Sequence, residues 1–566
     1  MHFGAPSILR ENVMLLLSLL IGCKNDQEVN EIADAQDTVP DGTLTLQLPE
    51  EIAWMSEGPV EVSGQAVDME TLTLNGSAIT AADGTFSETV TLARGLNHLI
   101  VSGMDIGGDT LTDRATVLAG EFASPGDTMP DALSAHIGAA GLASIGAFAA
   151  GALDPSLLLD KEDTINPIYS AEPLPGSSLF ADLVGLTFAP ADITIQPTTG
   201  ALELTVTLPQ LVIDVDAYGE FAWIDYGLDL QMTADAAVIT AEVMIEAVDG
   251  GLEVVMLDPE IVLEGFAYDL SILPDFIEGY LFVETIQGTV EDMLVEQANT
   301  MVPAMIDETL TGLEFETTIE LLGSELSIAA EFVDVDITGD GVGLDMGVNV
   351  TAPGAGSASY AGYLAAPASS VPEHSVVDPL SLVLSDDLLN RALFELWRGG
   401  VMDMTLSTED GSLDPTTIDG LPLDAATIQI SPQLPPVIVS GKDGLQLQAG
   451  AVDVVANTPG ASFGEYMSLR LTVIADATLS VTEGIIQPQI GEISLDIEVL
   501  ESDWGIPDDS VSELVDWALP QEDLIKMVSE MGIALPSLGG IVISGAEMSR
   551  DEDGFYSLVS VDLGLE

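Results

Sequence analysis

Seven alternate positions in a row, Leu469, Leu471, Val473, Ala475, Ala477, Leu479 and Val481, carry apolar side chains. Successive strand residues point to opposite faces, so this row is the buried side of one long strand. The same period of two runs through Leu202, Leu204, Val206 and Leu208, then Leu228, Leu230 and Met232, then Ile239, Ala241, Val243 and Ile245, and recurs over 445–451 and 493–499. Helical spacing interrupts it twice. Residues 275–313 repeat through Ile286, Val290, Met293, Leu294, Met301, Met305 and Ile306, with a kink predicted at Pro303. Residues 508–531 repeat through Val511, Leu514, Val515, Leu524, Val528 and Met531. A hairpin over 326–350 closes the first set of elements and strands over 541–563 close the second. Both halves read helix, long strands, helix, strands, which predicts an internal duplication with domains at 128–351 and 380–566. The Ala-, Ser-, Gly- and Pro-rich residues 352–379 between them read as a linker.

The second half opens on a well-specified helix. In 384–406, LSDDLLNRALFELWRGGVMDMTL, Ser385 can cap the first turn, and Asp386 and Asp387 sit where the helix dipole favours carboxylates. Leu388, Leu389, Ala392, Leu393, Leu396 and Trp397 share one face, expected to be buried, while Asn390, Arg391, Glu395 and Arg398 share the other. Gly399 and Gly400 end the helix, and Val401, Met402 and Met404 resume in a strand-like register. The matching segment of the first half, 132–153, has no charged residue. Its length permits a membrane span, but its Ala and Gly content suits a helix lying close against a sheet, with His136 as a packing residue.

Ahead of the duplication, 43–122 shows short alternating runs broken by turns such as Asn75-Gly76 and Asp83-Gly84, the pattern of a small β-sandwich. Residues 83–108 resemble the late hairpin of bacterial immunoglobulin-like modules, which act as spacers. Residues 24–42 are polar and acidic and read as a flexible tether. Before them, 14–21 is a short apolar run leading into Leu20-Ile21-Gly22-Cys23, and Cys23 is the only cysteine. This resembles a bacterial lipoprotein signal over 1–23. The resemblance implies that Cys23 becomes a lipid anchor, and Lys24 after it, in place of an aspartate, implies the outer membrane.

Against 94 Asp and Glu stand 11 Lys and Arg, a formal charge of -83. Such a chain repels nucleic acid and anionic headgroups, and reads either as a salt-adapted surface or as one that attracts divalent cations or a cationic partner.

The segment 384–406 and the hairpin that follows at Pro435-Pro436-Val437-Ile438-Val439, with Gly444-Leu445 entering a strand, resemble the second domain of the family of bactericidal/permeability-increasing protein, lipopolysaccharide-binding protein and the plasma lipid transfer proteins. The resemblance spans about 131–566. It implies an α+β fold: two tandem tubular lipid-binding (TULIP) barrels of twisted antiparallel sheet wrapped on long helices and joined through a central sheet, preceded here by the immunoglobulin-like sandwich. It also implies an apolar lipid pocket in each half, with Leu230, Met232, Val243 and Ile245 as candidate lining in the first and Leu389, Leu393, Leu471 and Val473 in the second. Periodicity alone does not distinguish such a pocket from a solid core. Two departures are evident: no disulfide can form, and Lys161 is the only basic residue between Arg114 and Arg391, which argues against an endotoxin-neutralising role.

No G-x-S-x-G elbow occurs, and no pairing of nucleophile and base stands out among His2, His98, His136 and His374. Asp334, Asp336, Thr338, Gly339 and Asp345 match calcium-loop spacing, but strand-like flanks make an ordinary hairpin the expected reading. The expectation is a non-enzymatic protein without cofactor, held to the bacterial envelope through Cys23 and binding acyl lipid or phospholipid. The alternative is an acidic adhesion protein with solid barrels, calcium-dependent if divalent cations bind.

Overall fold

The computed structural model describes residues 42–48, 53–126, 128–155, 166–172, 177–221, 224–268, 283–313, 315–321, 324–352, 354, 361–367, 371–410, 426–441, 444–460, 465–482, 485–503, 533–535 and 541–565. Cys23, the tether and the expected helix over 508–531 lie outside them. The described residues are mostly strand, with three helices: α1 (Ala139–Ala152), α2 (Val283–Thr311) and α3 (Asp386–Arg398).

The alternating rows are long strands of two curled antiparallel sheets. In the first, Leu202–Phe221 pairs with Ile224–Val248, which pairs in turn with Gly251–Glu264. The register sets Leu202, Leu204, Val206 and Leu208 opposite Val243, Ala241, Ile239 and Ala237, and all eight are buried. The helix α2 contributes Val290, Met293, Leu294, Val302 and Ile306 to the same core. In the second unit, Gly444–Asn457, Tyr466–Thr482 and Ile485–Ser502 form the corresponding sheet.

A third sheet joins the halves. Its order is Phe315–Leu321, Ser324–Thr338, Gly341–Thr351, Met129–Gly138, Leu380–Ser385, Tyr556–Leu565, Ile541–Arg550. Strands of the two halves meet where Leu133–His136 pairs with Ser381–Leu384.

The expected helix over 132–153 is corrected at its first part, because Met129–Gly138 is the middle strand of this sheet and α1 begins only at Ala139. Leu133, Ala135 and Ile137 face the core while Ser134 and His136 face the other way. Fourteen residues of helix remain, and among the described residues no helix is long and apolar enough to cross a membrane. The small residues act as expected within α1. A Cβ on Gly146 would collide with the carbonyl of Ile193, and one on Gly141 with that of Pro379. Alanine normally favours a helix over glycine by ~1 kcal/mol. For Gly146→Ala we expect instead a loss of roughly 1–3 kcal/mol in urea titration, since the strand backbone must move aside; a stabilised variant would show that α1 stands further off.

The strands between Thr43 and Ala119 form a module of two small sheets sharing Val62, Phe86, Leu99, Val101 and Val117. It is not a free spacer. Leu96 N donates to Gln448 Oε1 at 2.7 Å, and Asp496 Oδ2 lies 2.9 Å from His98 Nε2 and 3.3 Å from Arg114 Nε. An apolar seam of Leu96, Leu118, Leu364, Val437 and Val439 completes the contact. The linker reading changes with it, since Tyr363–Ala365 pairs with Glu121–Ala123 and Arg94 donates to the Ala365 carbonyl.

The expected faces of α3 are corrected in part: Leu388 and Leu396 are buried as read, but the polar side is covered too, by Ser124–Pro125, Val350 and Tyr363. The helix cap is as read, with Asp387 N donating to Ser385 Oγ. Yet Asn390, Arg391 and Glu395 are among the most buried residues, while Leu389, Ala392, Leu393 and Trp397 are only half-buried. The reason is the demand for donors beneath the helix. Arg391 donates to the carbonyls of Ser124, Pro125 and Val350, its Nε lies 3.0 Å from Glu395 Oε1, and Arg398 donates to Glu395 Oε2 at 2.5 Å. Asn390 bonds both the N–H and the carbonyl of Ile438, tying α3 to the proline-led hairpin. Arg550 grips Asp386 through two bonds of 2.7 and 2.8 Å. Burial pushes the Asp386 carboxyl up to about 6, with Arg550 pulling the other way, so at neutral pH it is ionised and the grip is intact.

Candidate ligand site

An apolar site lies in the first unit, where α2 crosses the curled sheet. Strand alternation turns Val206, Leu208 and Ile239 inward; helical spacing brings Leu294, Ala298, Met301 and Val302 down onto them; Leu153, just past α1, closes one end. These eight side chains line a partly open gap of about 20 Å³. The gap has room for about one water, but the lining offers no polar side chain to hold it. An acyl chain can enter only if side chains or α2 move. Met301 is half-exposed with an unbranched, adaptable side chain. Pro303, one residue beyond Val302, removes the helical bond to the Asn299 carbonyl and weakens α2 there.

The predicted lining residues sit beside this cavity rather than in it. Leu230, Met232, Val243 and Ile245 are buried in the same core, on the inward rows that also carry Ile239, but none lines the space. In the second unit Leu471 and Val473 are half-buried on the inner row, and Leu389 and Leu393 are half-buried on α3. The lining from α2 was missed although Leu294 and Met301 were read on its apolar face, because period locates a face and not the gap beneath it.

Two further groupings were not legible. Ser134 Oγ lies 2.9 Å from His374 Nε2, and His374 stacks on His136 with centroids 5.8 Å apart. A hydroxyl–imidazole contact is the first element of a nucleophilic site, but Ser134 is 1% exposed, beneath the chain that carries His374. The second grouping is the arginines. All six among the described residues, Arg94, Arg114, Arg391, Arg398, Arg470 and Arg550, bond or pair within the chain. The calcium-like positions lie along a hairpin, with Asp334 opposite Asp345 and the turn after Thr338. Among the described residues no three His, Cys, Asp or Glu side chains gather as a metal site would need.

No family model and no curated protein matches this chain. Among solved structures, that of a lipopolysaccharide binding protein aligns over 77% of this chain and 99% of its own, at 13% identity and a TM-score of 0.42. A likeness that loose assigns neither family nor function.

Proposed function

We propose that this chain is a non-enzymatic acyl-lipid-binding protein of the bacterial cell envelope, built as two TULIP-type barrels behind an immunoglobulin-like module and anchored through a lipidated Cys23. The observation that carries the reading is the small apolar-lined gap between α2 and the inward rows of the first sheet, next to the partly buried Met301 and a proline-weakened turn. Ligand pockets are likewise lined mainly by apolar side chains, but at ~300–1,000 Å³, so α2 must move to admit an acyl chain. The ligand is an acyl lipid or phospholipid; a densely anionic headgroup finds no counter-charge, since Lys161 is the only Lys or Arg in 128–351 and the described arginines are engaged.

The test is a photoactivatable fatty-acyl probe added to the leader-free protein, followed by peptide mapping and by mass spectrometry of lipids that co-purify. Labelling concentrated in 294–302 and 206–208 is expected, together with co-purified acyl lipid. Absence of both would establish the alternative reading, solid barrels on an adhesion protein. The anchor is checked separately: full-length protein should partition into detergent, and Cys23→Ala should not.

A further inference from the structure

The polar face of the central sheet is covered by the linker, and the cover rests on two histidines. Cross-strand register places Ser134, His136, Ser381 and Ser560 on this face. His374 crosses it, with Nε2 2.9 Å from Ser134 Oγ and its ring stacked on that of His136 at 23° between planes. Two to five residues further, the chain closes on Gly138: its N–H donates to the Pro379 carbonyl at 3.2 Å, and a Cβ there would meet the carbonyls of Asp378 and Val376. The Nδ1 atoms of both histidines are buried and have no hydrogen-bond partner among the described residues.

We propose that His136 and His374 form an acid-released latch that holds residues 371–379 on the central sheet at neutral pH and frees them as the surroundings acidify. Two imidazoles can stack face to face only while at least one is neutral, and neither has the direct carboxylate partner that would stabilise a charge. Carboxylates do stand around them: Asp345 from Gly341–Thr351, Asp334 and Asp336 from Ser324–Thr338, Asp340 in the turn, Glu547 in line from Ile541–Arg550, and Glu373 and Asp378 on the linker itself. Of these, Asp340 favours protonation of His136, and burial outweighs it. Burial, and then the charge of His136, lowers His374 to about 4, and burial lowers His136 as well.

The sign follows from linkage. With folded values below the ordinary 6.5, the closed state binds fewer protons than the open one, so closure is fully favourable above about pH 6.5 and is lost as pH falls toward 4. For His374 alone, the opening constant rises about thirtyfold between pH ~8 and pH ~5.

Hydrogen exchange of the Gly138 amide in the full chain, corrected for intrinsic rates, reads this opening directly. The wild type should show at least the thirtyfold rise. His374→Gln, which keeps a polar side chain over Ser134 and removes the titration, should lose most of it. His136→Gln should retain a reduced rise. A wild-type opening constant that changes less than about threefold over this range, or an undiminished rise in His374→Gln, overturns the latch.

Discussion

Replacing Glu395 by glutamine will destabilise this protein by about 3–5 kcal/mol, the range seen when one member of a buried ion pair is removed. Glu395 is fully buried and faces two guanidiniums, Arg391 at 3.0 Å and Arg398 at 2.5 Å. The amide keeps the shape but not the charge, so both arginines are left with an uncompensated positive charge, one of them deep beneath α3. Replacing the pair together, Arg391→Met with Glu395→Leu, is neutral in some proteins. It should not rescue here. Arg391 also supplies the carbonyls of Ser124, Pro125 and Val350, and each orphaned buried acceptor costs ~1–3 kcal/mol. Urea unfolding of the single and double variants decides the matter. A Glu395→Gln loss below about 1 kcal/mol would mean that water reaches the pair past Ser124–Pro125 and Tyr363.

Stability will also climb steeply with ionic strength. The outer rows of the first sheet put like charges side by side: Asp182, Asp216 and Asp229 are neighbours across three strands, and Glu246 faces Glu253. Such pairs oppose folding directly. Asp216 shows the strain, its carboxyl raised first by sharing a hydrogen bond with Asp229 and then by burial and the surrounding charge. A raised carboxyl means that the folded state holds its proton more tightly than the unfolded chain, so stability from this group is lost as pH rises through the folded value. Salt shortens the Debye length from ~10 Å at 0.1 M to ~3 Å at 1 M and removes most of this repulsion. The melting temperature should therefore rise throughout that range, and Asp216→Asn should be more stable than wild type at low salt and equal to it at high salt. A flat melting temperature in sodium chloride, with a rise on adding calcium, would transfer the effect from screening to bound cations.

Much of the fold could be read from residue order because strands announce themselves locally. The rows from Leu202 and from Leu469, the hairpin around Gly339 and the cap at Ser385 each depend on neighbours in sequence. The failures share a physical cause, which is cover supplied from far along the chain. Arg391 and Glu395 have the spacing of a solvated helix face, and only cover from Ser124–Pro125, Val350 and Tyr363 makes that face interior. His136 and His374 are far apart in sequence and meet through the linker. The strand Met129–Gly138 was hidden differently. Leu133, Ala135 and Ile137 alternate with Ser134 and His136, a usable signal outweighed by the surrounding Ala and Gly. The cavity under α2 depends on the fit of two surfaces, which no single row of residues encodes.

The order of strands in the central sheet sets when this protein can fold. Residues 129–138 must find 341–348 on one side and 381–384 on the other, and 380–385 must wait for 556–561. The middle of the molecule therefore cannot close until almost all of these residues have been made. Pairings so distant in sequence are slow to form, and until the last strand arrives the strand 380–385 offers an open edge to other chains. Either half made alone would keep such an edge permanently. The two units are thus products of one late, cooperative event, and cutting between them should yield aggregates rather than two working barrels.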